Sequence, residues 1–539
     1  MKNENVIVPI EKPIIHLEKK PLLIVTVTVL LTFYFDIFVG SIHGVSTPSI
    51  IADLGGMQFY AMTITTYMLG GSIGRVISGK LGDLYGRKRI YLLSLAIFAF
   101  GLILTGTAHS ISVLIAYKLV LGVAGGFLFA TVFAVIADLY VSVTRVKILG
   151  YLSAMLGVTY ITGPLLGGFI VDTIGWRWLY YFPLPFMLIV FFVVNHYMPT
   201  VKREVKVKID YAGIFLLCTA AIPFLLAFSW GGSKYSWGSS AMIALYLISL
   251  VSIILFIQVE RSAAEPILPL SLLRNRYFLI PVIGHSLGAV VVITYLTYVP
   301  LFGQAVKGMS AAVSGSLITA LMTVHIISTL ILSKIIRKTG KYRMVIALIF
   351  LFDAVMMYLV SGFNDHTNIV YIYTIIGLMG VNSGAINVVF VAYLQNHLPH
   401  NVVGTATGAE YFFTNLATVV SLSITGLIMN LNWQVSKYLP AELKGALSEA
   451  EIGVMSSTQA LTNKTAAAEI RNGLSPELQH TFDSVIVNMK DIMVQIFHTM
   501  FLLNVGVLIL GAIFLALFMK GKKVQQASKE TQENVTDAV

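Results

Sequence analysis

The sequence predicts an all-α protein that crosses a lipid bilayer fourteen times. Three observations carry this. Hydrophobic residues make up 57% of the 539-residue chain and charged residues only 11%, against about 25% charged in a soluble protein. Uncharged apolar runs of about 20 residues, the length that spans a ~30 Å hydrocarbon core, recur along nearly the whole chain. The 44 glycines suit helices that pack closely inside a membrane. Mean hydropathy, at +0.84, points the same way.

The first run starts near Leu22 and lasts about 25 residues, too long for the apolar segment of a secretory signal. No small-residue cleavage site follows it, so it reads as a retained first span. The spans lie near 22–47, 58–78, 90–108, 111–137, 148–172, 178–198, 211–230, 240–258, 278–302, 311–334, 344–362, 369–394, 404–430 and 494–519. An even number places both termini on one side. Loops sharing that side hold about 26 Lys and Arg and the opposite loops about eight, so the positive-inside rule makes both termini cytoplasmic. Lys19, Lys20, Arg87, Lys88, Arg89, Lys202, Arg203, Lys206, Lys208, Lys334, Arg337, Lys338, Lys341 and Arg343 belong to the richer side.

That distribution also explains the net charge of +11 and excludes nucleic acid as a partner. The single cysteine, Cys218, lies in an apolar run, which excludes a disulfide framework and a cysteine metal site. One long loop, about 431–493, falls on the extracytoplasmic side. Ser448-Glu449-Ala450-Glu451 is a capping-box pattern and Ser475-Pro476 a helix start, so the loop is expected to carry short surface helices. An inert insertion is favoured over a covering lid. The stretch after Lys520 is polar and expected to be disordered.

After span 2 the chain reads Gly79-Lys80-Leu81-Gly82-Asp83-Leu84-Tyr85-Gly86-Arg87-Lys88-Arg89. The glycines permit a tight turn, Asp83 can accept hydrogen bonds at a helix N-terminus, and the bases can anchor to lipid headgroups. This loop resembles the signature between helices 2 and 3 of the major facilitator superfamily. A worn copy, Gly340-Lys341-Tyr342-Arg343, follows span 10. The pair implies two related six-helix bundles, spans 1–6 and 9–14, with spans 7 and 8 inserted between them. The domains are then a cytoplasmic segment 1–21, an N-terminal bundle 22–198, inserted helices with flanking loops 199–277, a C-terminal bundle 278–519 and a cytoplasmic tail 520–539.

Span 5 carries Gly163-Pro164-Leu165-Leu166-Gly167-Gly168, preceded by the small residue Thr159. Proline removes a backbone hydrogen bond and the glycines allow close approach. The stretch resembles the antiporter motif of the drug-exporting branches. Gly175-Trp176-Arg177-Trp178, Glu265-Pro266-Ile267-Leu268-Pro269 with Arg274-Asn275-Arg276, Gln304 with Gly308-Met309-Ser310, and Gly404-Thr405-Ala406-Thr407-Gly408 resemble the fourteen-helix drug:proton antiporter branch. The chain departs from that branch at two places. Val39 stands nine residues before Pro48 where the branch has Asp, the nearest acid being Asp36, and Lys118, four before Gly122, replaces the usual Arg.

Ionisable groups inside spans are costly and therefore read as functional. Asp36 and His43 share a face of span 1 across Gly40, and Lys118 lies in the outer half of span 4. An Asp36–Lys118 contact, with His43 beside it, is expected to serve coupling or substrate binding. Glu410 lies about 9 Å inside span 13 by helix rise, without an obvious neighbouring base. A carboxylate facing apolar surroundings can carry a proton, so Glu410 is the second coupling candidate. Arg75 is expected to snorkel or to join Asp83 in gating. Asp353 is given a local structural role. His285 and His325 read as hydrogen-bonded packing residues, although either could titrate near neutral pH. Tyr295 and Tyr298 of span 9, Asn382 and Asn387 of span 12, and His285 are the substrate-cavity candidates, as an aromatic and amide lining.

The resemblance implies proton-driven alternating access, exporting amphipathic drugs, dyes or biocides from a monomer in the cell membrane, with no cofactor. The rival is a transporter of a defined metabolite, lipid, peptide or siderophore. No Ser-His-Asp set, metal-spaced histidine cluster or nucleotide loop suggests an enzyme. The intact gating motifs argue against a non-transporting receptor.

Overall fold

The computed structural model describes residue 15 and residues 17–140, 142–200, 211–231, 235–262, 271–398, 400–433, 439–456 and 459–519. Glu265–Pro269, the basic loop 202–208 and the tail 520–539 lie outside the described residues, so the readings placed on them have no structural counterpart here.

Long helices dominate the described chain. They are α1 Lys19–Ser41, α2 His43–Leu54, α3 Tyr60–Tyr85, α4 Arg87–Gly106, α5 Ile111–Leu139, α6 Ser142–Ile174, α7 Trp178–Tyr181 and α8 Leu184–Tyr197. After α9 Tyr211–Trp230 and α10 Ser240–Ser262 come α11 Arg276–Ala305, α12 Ala311–Thr339, α13 Tyr342–Ser361, α14 Ile369–His397 and α15 His400–Asn432. Four short helices follow, α16 Ala441–Ala446, α17 Glu449–Ser456, α18 Gln459–Thr462 and α19 Lys464–Gly473, and then α20 Pro476–Phe518. Among the described residues, 12 helices are long and apolar enough to cross a membrane. Helix α3 is not one of them. Its 26 residues carry Arg75, Lys80 and Asp83 among many glycines, serines and threonines. Helix α9 contributes only the shorter apolar stretch Phe215–Phe224.

Glycine shapes the turns and crossings. Gly86, at φ 88°, ends α3 and starts α4, and Gly340, at φ 61°, ends α12. Side chains rarely adopt that backbone, so both copies of the signature loop turn on a glycine. Helices α3 and α5 cross with their backbones in contact. A methyl group on Gly70 would meet the backbone of Leu119 and Val123, and one on Gly126 that of Gly71 and Arg75. Gly122 lies against the backbone of Tyr67, and Gly74 against Val123 and Gly126. Gly380 and Gly384 of α14 approach the backbone of Leu321 and His325 of α12 in the same way. These are small-xxx-small crossings, the usual route to tight packing where lipid removes any hydrophobic drive between helices.

Helices α1–α8 pack on one another, as do α11–α15 with α20; α9 packs on α10, α15 and α3. The two groups meet where α6 packs on α12, α2 on α11 and α12, and α3 on α15. The start of α1 and the end of α20 mark one face of the bundle, the terminal face. The short helices mark the other, the loop face.

At the loop face, α18 packs on α2, α11 and α20, and Gln459 Nε2 donates to the Ile51 carbonyl at 3.1 Å. The loop is thus seated across both groups of helices. The capping box forms: Ser448 N donates to Glu451 Oε2 at 2.8 Å and Glu451 N to Ser448 Oγ at 3.3 Å. The loop ends earlier than 493, because α20 starts at Pro476 behind an N-cap Ser475 and runs 43 residues. No proline or glycine interrupts it before Gly506, so it continues well beyond the ~20 residues a bilayer needs.

Replacing Gly122 with valine should lower the thermal midpoint and the monodisperse yield in detergent. Overpacking typically costs ~1–3 kcal/mol, and here the neighbour is backbone, which cannot turn aside. Gly506→Val, at a position with nothing within 4 Å, should leave both unchanged. Fluorescence-detected gel filtration and a melting scan compare the two.

Candidate functional site

Helices α1, α3 and α5 bring the N-terminal ionisable residues to two levels. Asp36 is buried at 5% exposure. A methyl group on Gly125 would lie 2.7 Å from Asp36 Oδ1 and 3.2 Å from the Tyr67 hydroxyl, so the two side chains converge on that glycine. The guanidinium of Arg75 stands 4.3 Å over the Phe129 ring. Lys118 is fully buried and its Nζ has no hydrogen-bond partner. Its charge acts on His43, whose ring meets Tyr67 edge-on at 4.6 Å.

The expected Asp36–Lys118 contact is therefore not formed. Helix α1 runs from the terminal face to the loop face and α5 runs back. Gly125 is level with Asp36, which puts Lys118, seven residues earlier, about 10 Å nearer the loop face by helix rise. His43 stands seven residues beyond Asp36, at that same level. Sequence spacing placed the groups on the right faces but could not fix the register between helices.

Helices α11, α14 and α15 hold the second set. Glu410 is fully buried, and its Oε1 is in close contact with His285 Nδ1 of α11. Thr414 donates to the same oxygen at 3.3 Å, while Oε2 has no partner. The ring of His285 stacks on Phe390 at 5.7 Å. Glu410 thus has a base beside it, 125 residues away in sequence, which sequence adjacency could not reveal. The neighbouring Tyr411 is 41% exposed, and its ring meets that of His285 edge-on at 6.1 Å.

Tyr295, Tyr298 and Asn382 are fully buried. Tyr298 stacks on Tyr60 at 5.6 Å, and Tyr60 donates to the Thr297 carbonyl at 3.0 Å. Asn382 Nδ2 donates to Asp353 at 2.8 Å. A cavity of about 670 Å³ opens instead between α11, α15 and α20, with Phe224 of α9 at its edge and Ser421, Thr425 and Asn504 as polar lining. Tyr295, Tyr298, Asn382 and His285 do not line it. The side chain of Asn387 lies outside the described residues.

The antiporter-like motif works at the junction of the two groups. Gly163 and Gly167 accommodate Ser41 and Ile42 at the end of α1. Gly168 lies against the backbone of Ala311 and Ala312, and Gly315 against that of Pro164. Four residues on, Asp172 accepts from Ala311 N at 3.0 Å and from Ala312 N at 2.8 Å. One carboxylate thus caps α12 from α6, where the helix dipole favours negative charge. Gln304 Nε2 adds a bond to the Val45 carbonyl at 3.1 Å. Sequence reading passed over Asp172, although its place after Gly167-Gly168 and opposite Ser310 is a capping signal.

At the terminal face, Arg87 pairs with Asp138 at 3.5 Å and Lys88 donates to the Asn195 carbonyl at 2.7 Å, while Arg89 is exposed. Gly79 and Asp83 fall in the last two turns of α3, and their surroundings lie outside the described residues.

Asp172→Ala should separate α6 from α12 at the loop face. In a Cys218→Ser background, spin labels at Ile174 and Val370, both exposed, should gain a longer-distance population by double electron–electron resonance. An unchanged distribution would sink the capping role. The thermal cost should be that of a lost N-cap, ~0.5–2 kcal/mol.

Residues 28–422 match the Major Facilitator Superfamily. The chain is similar to Multidrug transporter protein MdtP of Bacillus subtilis (strain 168), at 28% identity over 521 residues and 94% of each chain. Multidrug resistance protein 3 of the same organism is 32% identical over 383 residues, covering 70% of this chain and 74% of that one. In fold the chain resembles an auto-inhibited POT family peptide transporter, with a TM-score of 0.63 at 12% identity over 94% of this chain and 99% of that one. It also resembles an inward-facing bacterial homolog of the human lysosomal transporter Spinster, with a TM-score of 0.61 at 13% identity over 94% and 100%. With its all-helical, multi-pass architecture and the glycine-hinged loop at Gly86, the chain belongs to the Major Facilitator Superfamily and is a membrane transporter, not an enzyme.

Proposed function

We propose that this transporter exports small amphipathic organic compounds, such as drugs, dyes or biocides, in exchange for protons. The substrate class is supported by the likeness to proteins named for multidrug transport and resistance, one of them over 94% of both chains. Proton coupling is supported by one arrangement above all. Asp36 is buried beside the Tyr67 hydroxyl, and Arg75 of the same group of helices stands over Phe129 without an ion pair among the described residues to hold it there. A proton on Asp36 removes a negative charge from that layer, and Arg75 then turns toward Tyr411 and Tyr160 of the interface. Protonation in one half thereby changes a contact with the other. Glu410, held by His285, is the second acid whose charge state bears on the interface through Tyr411.

The halves are residues 22–198 and 278–519, with α9 and α10 as the inserted pair, and the chain crosses the membrane fourteen times. Helix α3 crosses despite its polarity because its glycine face is buried against α5. Both termini are cytoplasmic in a cell membrane, as the basic residues of the terminal face favour, and the loop face is extracytoplasmic. The protein acts as a monomer without a cofactor. Alternating access then consists in making and breaking the Asp172–α12 contact on the outside against the signature loop on the inside.

In everted vesicles with an imposed proton gradient, wild type should concentrate a lipophilic cationic dye, and an uncoupler should abolish the uptake. Asp36→Asn should lower that uptake at least tenfold, about 1.4 kcal/mol in the coupled step, while dye binding in detergent persists. Wild-type uptake by Asp36→Asn, or uptake that survives the uncoupler, would overturn the coupling. Uptake confined to one metabolite, lipid or peptide would replace the substrate class and leave the coupling standing. Glu410→Gln and His285→Gln should be non-additive in the same assay, because each removes one contact shared by both.

A further inference from the structure

Besides Asp36 and Glu410, a third buried carboxylate lies apart from the groups used above. Asp353 of α13 is fully enclosed, as is Asn382 of α14. Asn382 Nδ2 donates to Asp353 Oδ2 at 2.8 Å. The remaining oxygens, Asp353 Oδ1 and Asn382 Oδ1, have no hydrogen-bond partner. As drawn, both are acceptors, so neither can satisfy the other. Unpaired buried polar atoms are rare and demand an explanation.

The surroundings supply no counter-charge. The groups that face Asp353 are Asn382 of α14, which donates to it, and Tyr295 of α11. His325 of α12 is engaged with Ser383 through Nδ1 at 2.8 Å. Helix α20, which packs along α13, carries His498, but that ring bonds the Ser361 carbonyl at 3.0 Å, eight residues nearer the loop face. No cation among the described residues acts on Asp353. An ionised carboxylate enclosed in the protein without a cation is strongly disfavoured, and such a group neutralises instead.

We infer that Asp353 and Asn382 form a buried proton-binding site in the C-terminal half. One proton on Asp353 Oδ1, taken from solution, turns an acceptor into a donor aimed at Asn382 Oδ1. Acid and amide then make a paired set of hydrogen bonds, N–H to Oδ2 and O–H to Oδ1, which leaves neither orphan. A proton fits better than a metal ion, since two free oxygens fall well short of the six or more that hard cations require. The site is independent of how substrate export is driven, so it stands or falls separately from the exporter reading.

Infrared spectroscopy of the full chain in lipid nanodiscs at neutral pH tests this. Wild type should show the carbonyl stretch of a protonated carboxyl group. Asp353→Asn should lose it, while Asp36→Asn and Glu410→Gln retain it. Asn382→Leu should keep the band but move it to higher frequency, because the acid loses its amide partner. Asparagine at 353 can still pair with Asn382, so Asp353→Asn should elute and melt as wild type. Should it fail to fold, the Asn382→Leu shift decides alone. A spectrum of Asp353→Asn that superimposes on wild type, or an unmoved band in Asn382→Leu, overturns the site. Stabilisation of wild type by sodium over choline at equal ionic strength, absent in Asp353→Asn, would also overturn it in favour of a metal cation.

Discussion

The site depends first on the crossing of α3 and α5, where Gly70, Gly74, Gly122 and Gly126 let two backbones touch. In a bilayer no hydrophobic drive selects one helix register over another, so contact geometry must do it. A backbone-to-backbone crossing tolerates little sliding. Gly122 against Tyr67 sets the level of Tyr67, and Gly125, three residues on, is where Asp36 and the Tyr67 hydroxyl converge. Lys118, one turn the other way, then falls opposite His43. Which ionisable groups meet is thus decided by four residues that carry no chemistry. A slip of two turns would be needed to bring Lys118 level with Asp36 and produce the pair that side-chain spacing alone suggests.

The contact between the halves is built on the same economy of side chains at the loop face. Gly168 and Gly315 let α6 and α12 close on each other's backbone, and Asp172 uses that closeness to cap α12. A carboxylate at a helix N-terminus needs no cation to answer it, because the free N–H groups and the dipole do so. The bond is directional and breaks within a small separation, which suits a contact that must be made and unmade. Gln304 and Tyr60 add bonds to backbone carbonyls across the same junction. Carbonyls stay in place when side chains differ, so these links constrain position more than sequence.

The fold was largely legible because its signals are long or local. Apolar runs gave helices at the expected positions, Gly86 and Gly340 gave the turns, and Ser448 with Glu451 gave a cap three residues apart. The polarity of α3 weakens a hydropathy average, yet the span expected near 58–78 is a helix whose glycines are turned inward. The failures are equally physical. The end of the long loop was placed too late, although Ser475-Pro476 read as a helix start, because polar residues continue a helix beyond the bilayer as readily as they form a loop. At the site, residue types were legible and partners were not. Glu410 finds His285 from 125 residues away, and Asp36 meets Tyr67 at Gly125, on helices whose register no spacing rule fixes. Asp172 was missed because a single acid beside a motif carries no period.

The buried acids differ in what answers them, and that difference bears on how each can take part in transport. Asp36 meets the Tyr67 hydroxyl at Gly125, in the layer where Arg75 lies over Phe129. Glu410 faces an imidazole held against Phe390. Asp353 faces only an amide and a phenol, so its charge can be neither balanced nor passed on where it stands. In the proposed exchange for protons, Asp36 is the acid of the three assigned to coupling, with Arg75 as the responding cation. Lys118 is sealed at the level of His43, away from Asp36 and without a hydrogen-bond partner, so in that exchange it does not compete for the carboxylate.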